Sequence, residues 1–270
     1  MHTGIGVCGF FGLITIRPIC RTCCARSTTS GGTATGVPSA RQGNCTNGCH
    51  PIPADPLRLI AANRLEQGEA YVAGGVALNL LTGGRRVSRG IGLFHDTLEA
   101  LDATWQADRQ LLQAHGCEMR SVHERPGYVE AVVGKDQDAV LMQWTRDSPF
   151  RFFPLVQHED LGLVLHPFDL ATNKVLALVG RLEVRDWIDV ITCHERIQPL
   201  GYLAWAACGK DAGFSHLTIL EEAGRSGRYT TAELEGLSFE GPVPVLGDLL
   251  RKWHFMLKEA REVIAALPTQ

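Results

Sequence analysis

Between residues 70 and 96 a short apolar run, a glycine pair, a helical segment, an arginine-rich loop and a strand follow one another. The run Ala70-Tyr71-Val72-Ala73 stops at Gly74-Gly75, and residues 76–81 can begin a helix directly from those glycines. Glycine lets the backbone come close to an anion, and the free amides at a helix start point towards it. A glycine pair alone is most often only a turn. The order of elements around it predicts an α/β unit that can handle phosphate.

The rest of the first half predicts further helices and strands. Residues 57–67 and 97–115 have helical spacing of their apolar positions. Residues 129–133 and 139–144 read as strands joined across Gly134-Lys135-Asp136, which is a hairpin signal. We therefore expect a mixed sheet with flanking helices over residues 55–155.

Beyond Pro167 the pattern becomes mostly helical. Asp169 is a predicted N-cap for a helix over residues 170–178, and Gly180 is predicted to end it. Further helices are expected over residues 184–193, 197–207, 217–223, 231–237 and 246–267. Thr230-x-x-Glu233 forms a capping box, and the last helix keeps one apolar face that predicts a buried core contact. The fold class expected is α+β, with the helical half, residues 156–270, closing a cleft against the sheet.

The strand after the arginine-rich loop carries the most specific motif. It reads Ser88-Arg89-Gly90-Ile91-Gly92-Leu93-Phe94-His95-Asp96. With the preceding glycine pair and helix, it resembles the AbiEii/AbiGii family of nucleotidyltransferase toxins, whose pattern is Gly-Gly, a helix, then Ser/Thr-x-Asp-apolar-Asp-apolar-Phe. In that family the two aspartates, at alternate strand positions, would hold Mg²⁺ over a nucleoside triphosphate (NTP). Here both are glycine, Gly90 and Gly92. Asp96 is a possible substitute if the strand continues through His95.

The second half strengthens the resemblance. Residues 165–178, with Lys174, and then Arg181 and the segment Arg185-Asp186-Trp187-Ile188-Asp189 look like the family's later motifs. The resemblance implies that Gly74, Gly75, Arg89, Lys174, Arg181 and Arg185 bind the nucleotide and that Ser88, Asp186 and Asp189 form the catalytic set. Without the resemblance, we would interpret Lys174, Arg181 and Arg185 as a solvated helix face. Arg151-Phe152-Phe153-Pro154 and residues 205–211 also resemble relatives of this family but predict no chemistry.

Two functions from different classes follow. The family activity is Mg²⁺-dependent transfer of a nucleotide from an NTP to an RNA end or a protein hydroxyl, and with glycine at residues 90 and 92 we expect that activity to be impaired. The alternative is a non-catalytic relative that binds a nucleotide, RNA or a cognate antitoxin. The glycines leave the phosphate-binding cations without an evident counter-charge.

The charge distribution restricts an RNA partner. Residues 1–54 hold four of the 26 basic residues and none of the 29 acidic ones, which leaves 22 basic and 29 acidic side chains in the remainder, a net charge of −7. A general nucleic-acid binder is not expected to be that acidic, so any RNA acceptor would need a local basic patch. No apolar run approaches the roughly 20 residues of a membrane helix, so no membrane association is expected. Three scattered cysteines after residue 54 fit a reducing, cytoplasmic compartment.

The first 54 residues differ from everything that follows. They hold six of the nine cysteines and no helical or strand period. They are predicted to be a disordered extension or an over-called gene start. A transit peptide, a signal segment over residues 6–16, and a zinc site from Cys20-x-x-Cys23 and Cys45-x-x-x-Cys49-His50 stay open as alternatives.

Overall fold

The computed structural model of the protein describes residues 54–135 and 138–267. The expectations for residues 1–53, and residue 136 of the predicted hairpin turn, lie outside the described residues. In chain order the elements are α1 (Ala54–Gln67), β1 (Ala70–Ala73), α2 (Gly74–Thr82), β2 (Arg86–Val87), β3 (Gly90–His95), α3 (Leu98–Ala114), β4 (Glu118–Arg125), β5 (Tyr128–Lys135), β6 (Asp138–Arg146), β7 (Val156–His158), β8 (Gly162–Val164), α4 (Pro167–Arg181), α5 (Val184–Arg196), α6 (Leu200–Ala207), α7 (His216–Gly224), α8 (Thr231–Glu235), β9 (Ser238–Phe239) and α9 (Leu246–Ala266).

Seven strands form one mixed sheet in the order β4-β5-β6-β3-β1-β8-β7. The central strand β3 pairs antiparallel with β1 and parallel with β6. Strands β2 and β9 form a separate antiparallel pair, which joins the arginine-rich loop to the helical half. The expected α+β class is confirmed, with a mixed sheet followed by helices.

Two hydrophobic cores lie on either side of the cleft. The first packs α1 and α3 against the sheet, and its largest buried side chains include Ile60, Leu101, Met142 and Trp144. The second lies among α4 to α9 and includes Leu178, Trp187, Leu203 and Trp253. The apolar stripe of α9 faces this second core, as predicted. Among the described helices, none has the length and apolarity needed to cross a membrane.

Several predicted boundaries are wrong for identifiable reasons. Asp169 does not cap α4. The helix begins at Pro167, and His166 is its N-cap, because its Nδ1 accepts from the backbone N of Phe168 at 3.2 Å. Gly180 does not end the helix either. The turn follows one residue after Arg181, at Leu182, which has a left-handed φ of 51°.

The helix expected over residues 197–207 begins only at Leu200, since Pro199 takes the N-cap position. The capping box of Thr230 and Glu233 is confirmed. Five strands were not predicted. β2 and β9 have two residues each, β7 and β8 have three residues each, and β4 is an exposed, polar edge strand without apolar alternation.

Candidate functional site

A cleft with two connected lobes lies between the sheet and helices α4 and α5. The larger lobe, of about 650 Å³, runs along β3 and the loop 86–89 towards the start of α5, and we call it the basic lobe. The smaller lobe, of about 420 Å³, runs from the start of α2 to residues 147–150 and 210–211, and we call it the aromatic lobe. Both lobes share Ala73, Gly74, Phe94, Lys174 and Arg181 at their junction.

The structure brings most of the predicted site residues to the basic lobe. Those that line it are Gly74, Gly75, Ser88, Arg89, Gly90, Gly92, Lys174, Arg181 and Arg185. Asp186 and Asp189 do not line it but lie buried behind it, exposed to 0% and 1%. Asp96 lines neither lobe. The geometry therefore groups the predicted binding residues and leaves the three predicted carboxylates outside the lining of both lobes.

The glycine pair shapes the junction. Gly74 has a φ of +77°, a left-handed conformation that favours glycine, and it begins α2 directly after β1. A Cβ at Gly75 would overlap the Arg86 guanidinium. The N-cap residue of α2 is Ala73, whose side chain has no oxygen to accept from the first-turn amides. Gly74 and Gly75 line the basic lobe, so the first turn of α2 lies at the cleft without a side-chain cap, an arrangement that suits an anion.

Three cations and two carboxylates form one network beside the junction. Arg86 donates to both oxygens of Asp189, at 2.6 Å from Nε and 2.9 Å from Nη2. Lys174 Nζ lies 2.7 Å from Asp189 Oδ2 and 3.3 Å from Asp186 Oδ1. Arg181 holds Asp186 through two bonds of 2.6 and 2.9 Å. The expectation that these cations lack a counter-charge is wrong, because α5 supplies two carboxylates.

Opposite charges in this network shift the pKa values of their partners. Burial alone would raise the pKa of Asp189, but attraction to Lys174 and Arg86 outweighs burial and holds that pKa below its ordinary value. In the same way burial opposes the charge of Arg86, yet Asp189 raises its pKa. Three positive and two negative charges leave one net positive charge. Arg181, whose side chain is 45% exposed, presents part of it to the cleft.

The strand β3 wall offers no carboxylate to the basic lobe. Gly90, Gly92 and Phe94 alternate on the cleft side, while Ile91, Leu93 and His95 are buried on the other. A Cβ at Gly90 would lie 2.9 Å from the backbone O of Leu141, and one at Gly92 would lie 2.7 Å from Phe94 Cε2. The space of both missing side chains is thus occupied, by the backbone of Leu141 in one case and by the Phe94 ring in the other.

Asp96 does not replace the missing ligands. Strand β3 ends at His95, and the carboxylate of Asp96 forms an ion pair with Arg151, whose guanidinium lies over the Tyr71 ring. Within the described parts of the chain, no group of three or more His, Cys, Asp or Glu side chains could hold a metal ion. Asp186 and Asp189 are saturated by cations. The residues present therefore do not fit the Mg²⁺ ion that the resemblance implies.

One polar cluster on the sheet was not predicted. Gln143 pairs in register with Gly92, lines the basic lobe, and donates to Glu130 Oε2 at 2.6 Å. Tyr128 donates to the same oxygen at 2.8 Å. The alternation of side chains along β5 and β6 indicates which residues share a face within each strand. Bringing Tyr128, Glu130 and Gln143 together also requires the register between the strands, which the sequence does not give.

The side chains of Ser88, Arg89 and Arg185 each have a partner within the protein. Ser88 Oγ donates to the backbone O of Gly90 at 3.1 Å, and Arg89 Nη2 donates to the backbone O of Gly236 at 2.7 Å. Arg185 pairs with Glu183 at 2.6 Å, and both side chains are half-exposed. Arg89 and Arg185 thus stand at the rim of the basic lobe.

The two segments to which the sequence assigned no chemistry lie beside the aromatic lobe, and the second of them supplies Lys210 and Asp211 to its lining. Asp169 accepts from the backbone N of Phe152 at 2.8 Å and of Phe153 at 3.0 Å. Lys210 Nζ lies 2.7 Å from Asp169 Oδ1 and 2.8 Å from Asn173 Oδ1. Asp169 therefore ties the loop after β6 and the loop after α6 to the start of α4. This tertiary role explains why it does not cap the helix.

Comparison with solved structures identifies the fold. JHP933 from Helicobacter pylori superposes with a TM-score of 0.55 at 11% identity, over 78% of this chain and 91% of that one. A candidate nucleotidyltransferase from H. pylori gives 0.51 at 11% identity, over 80% and 96%. MenT4, a nucleotidyltransferase toxin from Mycobacterium tuberculosis, gives 0.51 at 16% identity, over 80% and 82%. The chain has a nucleotidyltransferase-like fold. No protein-family model matches the sequence, and neither does any curated protein.

Proposed function

We propose that the cleft binds the phosphate groups of a nucleoside triphosphate, in an AbiEii/AbiGii-type, toxin-like protein whose nucleotide-transfer activity is impaired. One observation carries this proposal. The uncapped start of α2 at Gly74 lies at the same junction as Lys174 and Arg181. Backbone amides and a guanidinium fork both suit phosphate oxygens, and they act together only when they converge.

The strand β3 wall supports the impairment. Nucleotide transfer depends on positioning and on neutralising phosphate charge. At Gly90 and Gly92 no side chain can hold a divalent cation, and the nearby carboxylates are already paired. The side chains of this chain can bind and orient the phosphates through Lys174 and Arg181, and we assign no further step to them.

The alternative, a non-catalytic relative that binds a nucleotide, RNA or an antitoxin, is favoured by the same glycines. An RNA partner would use the basic lobe, where Arg89 and Arg185 stand at the rim and Glu183 is the acidic residue among the described lining. An antitoxin partner rests on the resemblance alone. An RNA-binding protein and an antitoxin-binding protein are both compatible with phosphate binding. They differ from the proposed function because they transfer no nucleotide.

A labelling assay tests the impairment of nucleotide transfer. The wild-type protein is incubated with MgCl₂, each of the four α-labelled triphosphates, and total RNA and protein as acceptors. We expect labelling at the background of Lys174→Ala, and a Lys174-dependent label on any acceptor contradicts the impairment. The double variant Gly90→Asp/Gly92→Asp should gain transfer if it folds. Gly92→Asp alone is the companion variant, because its Cβ would meet the Phe94 ring and it avoids the clash of residue 90 with the backbone of Leu141.

A binding assay tests the phosphate site itself. Arg181→Met should weaken ATP binding by about tenfold, since a hydrogen bond to a charged group contributes about 1.5–3 kcal/mol. Arg181→Lys should lose less, because it keeps the charge. Arg225→Met is the matched control, since Arg225 is an exposed arginine paired with Glu222 outside the lining of both lobes. Equal affinities for Arg181→Met and Arg225→Met would sink the proposed site.

A further inference from the structure

The aromatic lobe has the size and lining of a site for a small organic ligand. Its volume of about 420 Å³ lies within the roughly 300–1,000 Å³ of small-molecule sites. Phe94 and Phe150 provide rings, and Leu170, Leu176 and Ala177 provide an aliphatic floor. This composition contrasts with the arginine-rich lining of the basic lobe.

The rings are supported from behind. Phe150 is 49% exposed and stands edge-on to Phe152, with ring centroids 5.2 Å apart at 86°. Phe152 in turn packs edge-on against Phe168 at 5.6 Å. Phe94 stacks on Tyr71 with centroids 6.0 Å apart. An exposed ring fixed in this way offers a preformed face, so a stacking ligand pays little entropy to use it.

The charges of the lobe disfavour a phosphate deep inside it. Lys210 is the basic side chain added to the shared Lys174 and Arg181, and its ammonium is already paired with Asp169. Asp147 and Asp211 line the same wall. Two carboxylates beside a neutralised lysine repel an anion and accept hydrogen bonds from hydroxyl or amino groups.

Asn173 supplies a directional group. Its Oδ1 accepts from Lys210 Nζ at 2.8 Å, which fixes the amide plane and turns its NH₂ away from Lys210. Asn173 lines the lobe one residue before Lys174 on α4. A fixed amide donor that lines the same lobe as Phe94 and Phe150 can form hydrogen bonds with the edge of a stacked base.

We propose that the aromatic lobe is a nucleoside subsite, in which the base stacks on Phe150 and Phe94 with its edge at Asn173. The ribose then lies near the junction, and the phosphates lie at Gly74, Lys174 and Arg181. This inference rests on the proposed function, since it places the other half of the same triphosphate. It also gives a role to the segments 151–154 and 205–211, which Asp169 ties to the start of α4 beside the lobe.

Calorimetric titration with inorganic tripolyphosphate and with ATP, GTP, CTP and UTP tests this subsite. In wild type at least one nucleotide should bind about tenfold more tightly than tripolyphosphate, the scale of one base–aromatic stack. Phe150→Ala should weaken binding of that nucleotide severalfold, with Phe94 and Asn173 still in place, and leave the affinity for tripolyphosphate unchanged. Asn173→Asp, which keeps an acceptor for Lys210 but removes the NH₂ donors, should change the order of preference among the four bases. Phe255→Ala, an exposed phenylalanine on α9, is the matched control and should change neither.

The outcomes separate the two proposals. If tripolyphosphate and all nucleotides fail to bind, the proposed function fails, and the subsite fails with it. If tripolyphosphate binds as tightly as every nucleotide and Phe150→Ala has no effect, the subsite is wrong and the phosphate site stands. A selective loss of nucleotide affinity in Phe150→Ala supports the subsite.

Discussion

The cleft has two walls, which differ in how their polar groups are satisfied. We call the side formed by α4 and α5, with Arg86, the helix wall, and the side formed by β3 the strand wall. On the helix wall, Lys174, Arg86 and Arg181 are paired with two buried carboxylates of α5. On the strand wall, β3 presents glycine at both central cleft positions, and the ring of Phe94 leans over one of them. The helix wall needs no metal ion to balance its charges. On the strand wall, the space for side chains at residues 90 and 92 is occupied by the backbone of Leu141 and by the Phe94 ring. Under the proposed function, the helix wall therefore binds phosphate, and the strand wall offers no side chain to a divalent cation.

The largest expected effect breaks the helix wall. Asp189→Ala leaves Lys174 and Arg86 buried without their shared partner, and removal of one member of a buried pair costs about 3–5 kcal/mol. Chemical denaturation should show a loss of that size in the free energy of unfolding. Glu183→Ala removes the half-exposed partner of Arg185 and should cost less than about 1 kcal/mol. A loss below about 1 kcal/mol for both variants would show that the network is not the structural centre of this wall.

The strand wall is probed by adding one methyl group at each glycine. Gly90→Ala places a Cβ 2.9 Å from the backbone O of Leu141, so β6 must move, and overpacking of this kind costs about 1–3 kcal/mol. Gly92→Ala meets only the ring of Phe94. The rotamer cost there, about 0.5–1.5 kcal/mol, is offset by the similar gain from replacing glycine in a strand. Denaturation curves should rank Gly90→Ala well below Gly92→Ala, and the reverse order would contradict the closed-strand description.

His95, on the buried side of β3, should make the free energy of unfolding depend on pH. His95 is fully buried, and burial lowers its pKa from 6.5 to about 4, only partly opposed by its contact with the backbone O of Thr145. Because the folded pKa lies below the unfolded one, the neutral ring's contribution is complete above pH 6.5 and is lost as the pH falls towards 4. Between pH 7.5 and pH 5 the loss should be about 2 kcal/mol.

The matched variant for this effect is His95→Gln. Its stability disadvantage relative to wild type should shrink by the same amount over that pH range, because glutamine does not titrate. Parallel pH profiles for the two proteins would show that His95 is not the group responsible. Chemical denaturation at several pH values provides the measurement.

The smallest expected effect concerns the edge of the helix wall. Thr230 caps α8 by accepting from the backbone N of Glu233 at 3.3 Å, and Glu233 accepts in return from the backbone N of Thr230 at 2.8 Å. Thr230→Ala should cost about 1 kcal/mol, the usual value of an N-cap. Thr230→Ser should retain most of it. A loss of several kcal/mol would mean that α8 supports the wall through more than its own cap.

Local rules predicted the elements whose period or chemistry is strong. The helix α9, the hairpin of β5 and β6, and the capping box at Thr230 follow from patterns within a few residues. The strands β7 and β8 are too short to show a period, and the polar edge strand β4 lacks apolar alternation.

The site shows the same limit. The motif residues Gly74, Ser88 and Lys174 were predicted to share a cleft, and they do. The bond between Arg86 and Asp189 spans 103 residues, so no local pattern could indicate it. The local sequence predicted Asp169 as a helix cap. In the folded chain its carboxylate instead accepts hydrogen bonds from the backbone amides of Phe152 and Phe153. Tertiary contacts of this kind decide which charges remain available to a ligand.

The dependence of ATP binding on Mg²⁺ tests the contrast between the two walls most directly. Wild-type protein is titrated with ATP by calorimetry, once with EDTA and once with excess MgCl₂. Free ATP carries more negative charge than its magnesium complex, so side-chain cations should bind it at least as tightly in EDTA as in MgCl₂. Binding that appears only with MgCl₂, or is tenfold tighter with it, about 1.4 kcal/mol, would contradict a cleft that binds phosphate without a metal ion.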